Sequence, residues 1–116
     1  MKITYIYHHC FMVETNRCYY LFDYEKGSLP EMDVTKPILV LSSHEHHDHY
    51  NPEIFSILAA CGMKNIYAVL SEDIEPPADV EVLQVSPGKE YHLLCEIRRH
   101  HSLNHYCNIF RELAHI

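Results

Sequence analysis

PILVLSSHEHHDHYNPEIF, residues 37–55, runs from five apolar positions through a stretch of six that holds four histidines, a glutamate and an aspartate, and then into Asn-Pro-Glu and a second apolar pattern. The unbroken run Ile38 to Leu41 has the length of a strand buried on both faces, which implies layers packed on either side of its sheet. Asn51 supplies an N-cap, Pro52 suits the first helical position, Glu53 complements the helix dipole and Gly62 is a natural stop, so a helix is predicted over 52–61. The polar residues between them therefore occupy the turn where a buried strand ends and a helix begins.

Outward from this stretch the chain reads as further strands. Residues 2–7, 11–15 and 18–23 are rich in β-branched and aromatic side chains, with Asn16-Arg17 as a hairpin candidate between the last two. Downstream, 66–70 and 80–85 read as strands around the Pro76-Pro77 loop, and Ser86 to Lys89 as a turn into a last strand starting near Glu90. Strands, one helix and more strands predict an α/β or α+β domain with a mostly antiparallel or mixed sheet.

At 116 residues the chain has room for one domain. All three glycines and all six prolines precede Leu93, and that part carries 14 acidic against six basic residues, whereas the last 24 residues carry two acidic and three basic. Residues 1–92 are accordingly read as one folded unit and 93–116 as a foreign, histidine-containing tail. In the tail Leu103, Tyr106, Cys107, Phe110 and Leu113 recur at helical spacing after a possible cap at Ser102.

A net charge of −7 repels a phosphate backbone, which disfavours nucleic acid as a partner. No apolar run approaches the length of a membrane span, and the opening MKITYIYHHC lacks the pattern of a signal peptide, so a cytoplasmic location is expected. Five scattered cysteines with no CxxC pair make neither a disulfide framework nor a thiolate zinc site.

The histidine stretch is where chemistry concentrates. In an extended loop alternate side chains point the same way, so His44 and His46 would reach one ion while Asp48 and His49 turn towards a second. Imidazole and carboxylate donors suit zinc, and also iron or manganese. Glu45 and His47 fall on the alternate positions, behind the ligands or in solvent.

SHEHHDH, residues 43–49, resembles the signature loop of the metallo-β-lactamase superfamily, and YYLFDYEKG, residues 19–27, is similar to the strand whose terminal aspartate belongs to the same signature. The resemblance covers roughly residues 3–92 and implies part of an αββα sandwich. It assigns His44 and His46 to a first metal site, Asp48 and His49 to a second, and Asp23 to bracing the loop from behind. YHHCFMVE, residues 7–14, resembles the HSGF-like opening of small bacterial members and places His8 near the site. The implied activity is hydrolysis of a small-molecule substrate by metal-activated water, with Asp48 orienting that water.

The family also needs a third histidine, a bridging aspartate and a final histidine from later strands. His100, His101, His105 and His115 match none of these, so a truncated or frameshifted product is expected, with weak metal binding and weak or no activity. The alternatives are a non-catalytic metal-binding module, in which His92 and the tail histidines supply substitute ligands, and an inactive gene product. With a single helix to cover the sheet, the other face is left to the tail or to a homo-oligomer partner.

Overall fold

In the computed structural model, residues 1–92 are described; Glu90 to His92, where a last strand is expected to begin, are not in a strand, and the rest of that strand and the predicted tail helix lie outside the described residues. The described residues form an α+β fold with one six-stranded mixed sheet and one helix. The strands are β1 (Lys2–Tyr7), β2 (Cys10–Glu14), β3 (Tyr19–Phe22), β4 (Ile38–Ser42), β5 (Ile66–Ser71) and β6 (Glu81–Val85), with α1 (Glu53–Ala60) between β4 and β5.

The strands lie side by side in chain order. β1–β2 and β2–β3 are antiparallel, whereas β3–β4, β4–β5 and β5–β6 are parallel. The sheet is thus mixed rather than mostly antiparallel. The reason lies in the connections: two short turns link β1, β2 and β3, and each later link is long enough to cross back to the starting end.

The β2–β3 turn contains no glycine. Thr15 holds it instead, its Oγ1 accepting the N–H groups of Arg17 and Cys18, each at 3.2 Å. At the helix start Pro52 already has helical angles, φ −63° and ψ −15°, and Asn51 Oδ1 accepts the Glu53 N–H at 3.0 Å. The helix ends in a Schellman pattern: Gly62, at φ +93°, donates to the Ala59 carbonyl at 3.0 Å and Met63 to that of Leu58 at 3.1 Å.

β4 is buried on both faces, as its apolar run predicts. Ile38 and Val40 pack with Cys10, Met12 and Leu21 against Ile54 and Leu58 of α1. Leu39 packs with Cys18, Tyr67 and Val69 on the opposite face. That second face is closed at its centre and open towards β1, where Tyr5 is 60% and Phe11 42% exposed.

Because β1, β3, β4, β5 and β6 all run the same way, the turn after β1 and the carboxyl ends of β3, β4 and β5 meet at one end of the sheet. In sheets with parallel strands that end is the usual place for a ligand site. Among the described residues no helix is long and apolar enough to cross a membrane.

Candidate metal centre

Among the described residues two non-glycine residues have left-handed backbones, and both sit at this end of the sheet: His8 at φ +46° and Asp23 at φ +47°. Aspartate and histidine are among the residues that tolerate this region. At Asp23 the left-handed turn breaks β3 after Phe22 and directs the carboxylate to the end of β4. There Oδ1 accepts the Ser43 N–H at 2.7 Å, and Oδ2 accepts the Ser43 hydroxyl at 3.0 Å and faces His49 Nδ1 at 3.1 Å.

These contacts determine which imidazole nitrogens carry protons. A carboxylate only accepts, so His49 carries a proton on Nδ1, and in the neutral ring Nε2 is the bare nitrogen. The single Ser43 hydroxyl proton is used on Asp23, so the same oxygen accepts from His44 Nδ1, 3.0 Å away, and in the neutral His44 ring Nε2 is likewise the bare nitrogen. One carboxylate thereby sets two rings in the protonation pattern a metal requires.

The loop itself departs from the extended form that strict alternation assumes. The His46 carbonyl accepts the N–H groups of His49 at 2.8 Å and Tyr50 at 3.0 Å, so the chain closes a turn over residues 46–50. The turn folds His49 back over His44, with ring centroids 3.9 Å apart, while the His44 and His46 rings meet edge to face at 5.0 Å. His44, His46 and His49 therefore share one cluster rather than dividing between two sides of a strand.

Asp48 points into the space between two rings. Its Oδ2 lies 3.5 Å from His49 Nε2 and 3.7 Å from Nε2 of His9, a residue the sequence reading did not single out. Ligand atoms of His9, Asp48 and His49 all lie within 4.8 Å of one another. Desolvation pushes the Asp48 carboxyl upward, but its own backbone N–H and the neighbouring His49, His47 and His9 outweigh this and hold it below the usual aspartate range. His8 turns the other way, with Nδ1 3.1 Å from Glu25 Oε1 and its ring on Tyr7.

Asp73, also outside the sequence reading, supports the loop from the end of β5. It accepts hydrogen bonds from the Ser71 hydroxyl and, at 3.4 Å, from the Glu45 N–H. The Ser71 bond is the first cause of its depressed pKa, which desolvation opposes; the Glu45 N–H, its own N–H and nearby His44 lower it further. A cavity of about 470 Å³ borders the loop through Glu45 and His47 and is otherwise lined by Tyr50, Pro52 and the segment 74–77. None of His9, His44, Asp48 and His49 lines it.

Bare imidazole Nε2 atoms beside a carboxylate, with a second carboxylate fixing the tautomer behind them, form a donor set that fits zinc, manganese or iron. Comparison of the chain with family models, curated proteins and solved structures finds no match.

Proposed function

We propose that the chain is a metal-dependent hydrolase of metallo-β-lactamase type, acting on a small-molecule substrate at the carboxyl end of its sheet. The observation that carries this reading is the Asp23 carboxylate, which grips Ser43 and His49 together and leaves Nε2 of both His44 and His49 open. A fold with no need for a ligand gains little from arranging two exposed-loop imidazoles this way, whereas a metal centre needs it.

In this reading His44, His46, Asp48 and His49 hold the ion or ions, zinc foremost, with manganese or iron also suited. A bound ion of this kind acts as a Lewis acid, lowering the pKa of water to about 7 and polarising a carbonyl or phosphoryl oxygen. Asp48 offers two oxygens, so it can serve as a ligand and also orient the attacking water and accept its proton. Asp23 is a positioning residue. His8, paired with Glu25, stands beside the site, its ring 6.2 Å from that of His9.

The test is made on the full chain. Metal content is measured after purification and dialysis against zinc or manganese, and turnover is followed on chromogenic esters, thioesters, lactams and phosphodiesters. Metal-dependent hydrolysis that Asp48→Asn abolishes supports the proposal. Metal retained without turnover on any substrate class would replace it with a non-catalytic metal-binding module, and a chain that retains no metal would overturn both.

A further inference from the structure

We propose that His9 is a direct ligand, through Nε2, of the ion held by Asp48 and His49, so that the β1–β2 turn supplies the third donor of that ion. The proposal rests on reading the histidine loop as a metal centre and extends it to a residue from another part of the sheet.

The turn explains how His9 gets there. Tyr7 pairs with Cys10, so only His8 and His9 connect β1 to β2. Two consecutive residues in so tight a turn project in different directions, and the left-handed His8 sends its own ring outward to Glu25. His9 is left facing the loop, where its ring stacks on that of His49 with centroids 4.3 Å apart and planes 11° from parallel.

Distances then separate a ligand set from an ion pair. The separations from Asp48 Oδ2, 3.5 Å to His49 Nε2 and 3.7 Å to His9 Nε2, exceed hydrogen-bond length. Two donors on one tetrahedral ion, with bonds of about 2.0–2.2 Å, lie about 3.3–3.6 Å apart. Both separations from Asp48 are close to that spacing, the three ligand atoms lie within 4.8 Å of one another, and the carboxylate is too far from either ring nitrogen to hydrogen-bond it directly. Nor does the arrangement serve stability, since the His9 side chain is 53% exposed and an ion pair so placed contributes little.

One movement is required. An imidazole lone pair lies in the plane of its ring, so two nearly parallel rings cannot aim at one point. His49 is pinned through Nδ1 by Asp23, whereas His9 is half in solvent. His9 is therefore the ring that rotates out of the stack when the ion enters.

The full chain is titrated with Co²⁺ as the probe ion, followed by its visible absorption, and with Zn²⁺ in competition. His9→Ala should weaken uptake of one ion by about 100-fold or more, since removing a ligand costs at least as much as removing the partner behind one. His9→Cys should show a thiolate-to-cobalt charge-transfer band that the natural chain lacks. His47→Ala, in the same loop and outside the three-residue group, should leave affinity unchanged, and circular dichroism of each variant verifies the fold. Unchanged affinity in His9→Ala, or no charge-transfer band in His9→Cys, overturns direct ligation while leaving the metal-centre reading intact. A natural chain that takes up no cobalt or zinc overturns both.

Discussion

Replacing Asp23 by asparagine removes one charge from beneath the histidine loop and leaves the backbone undisturbed, because asparagine also tolerates the φ of +47° at this position. The amide oxygen can still accept the Ser43 N–H. The amide NH₂ then occupies the place of Oδ2, facing the Ser43 hydroxyl and His49 Nδ1, which now stand 3.0 and 3.1 Å from a carboxylate oxygen. Both partners can adapt only by reversing roles: the serine accepts, and His49 moves its proton to Nε2.

Hydrogen bonds to a charged group contribute about 1.5–3 kcal/mol and neutral ones about 0.5–1.5, a difference of about 1–1.5 per bond, so neutralising the acceptor of three bonds costs about 3–4 kcal/mol. The Asp23 side chain is 18% exposed, which favours the lower figure. For a domain of this size about 3 kcal/mol corresponds to a fall in Tm of about 15 °C. Asp23→Ala loses all three bonds and adds about 1–2 kcal/mol of left-handed strain, so it should lie well below the asparagine variant. Thermal unfolding followed by circular dichroism without metal measures these terms. A cobalt titration should show the tautomer effect as a 10- to 100-fold loss of affinity in Asp23→Asn. An asparagine variant that melts within about 2 °C of the natural chain and binds cobalt equally well would refute the argument that this carboxylate organises the loop.

Burial, with Asp23 nearby, raises the Cys10 thiol from 9.0 to about 12. At pH 8 its thiolate fraction is therefore about a thousandfold below that of an ordinary cysteine, and mass mapping after brief iodoacetamide treatment should find exposed Cys61 labelled and Cys10 intact. A thiol whose pKa is raised by folding costs stability as pH climbs from 9.0 towards 12, so the urea midpoint should fall across that window and recover in Cys10→Ala only after allowance for lost packing. Among the described residues Ser42 Oγ is buried without a hydrogen-bond partner, so Ser42→Ala should raise stability by about 1 kcal/mol in the same assay. Gly27 has φ +114°, and a Cβ there would lie 3.0 Å from Ile6 Cγ2, so Gly27→Ala should cost about 1–3 kcal/mol in urea unfolding.

The six strands and the helix were legible because each carries its own local signal. β4 is an uninterrupted apolar run, α1 opens on Asn51-Pro52 and closes on Gly62, and the other strands alternate or cluster β-branched and aromatic residues. Pairing was less legible. Nothing in the residues of β5 and β6 distinguishes a parallel neighbour from an antiparallel one; the segment 72–80 between them decides it by crossing back, and its Pro76-Pro77 pair marks only that the chain is not regular there. The open part of the face opposite α1 has the same cause, since residue pattern gives the apolar face of a strand and not what lies over it.

The site divides along a similar line. Asp23 entered the reading through the resemblance, as the aspartate that closes the third strand, and its carboxylate does lie against the histidine loop. Loop conformation was not readable, because alternation presumes an extended chain and the His46 carbonyl captures two N–H groups instead, folding His49 onto His44. The choice between His8 and His9 depends on a smaller thing still. In a two-residue turn the side chains of neighbours diverge, so the sign of one φ decides which imidazole faces the loop and which faces Glu25. Sequence composition marks both histidines equally, and only the pairing of Tyr7 with Cys10, a fact about the sheet, turns His9 towards Asp48. The proposed donor set thus draws on the hairpin turn as well as on the loop motif, because both reach the same end of the sheet.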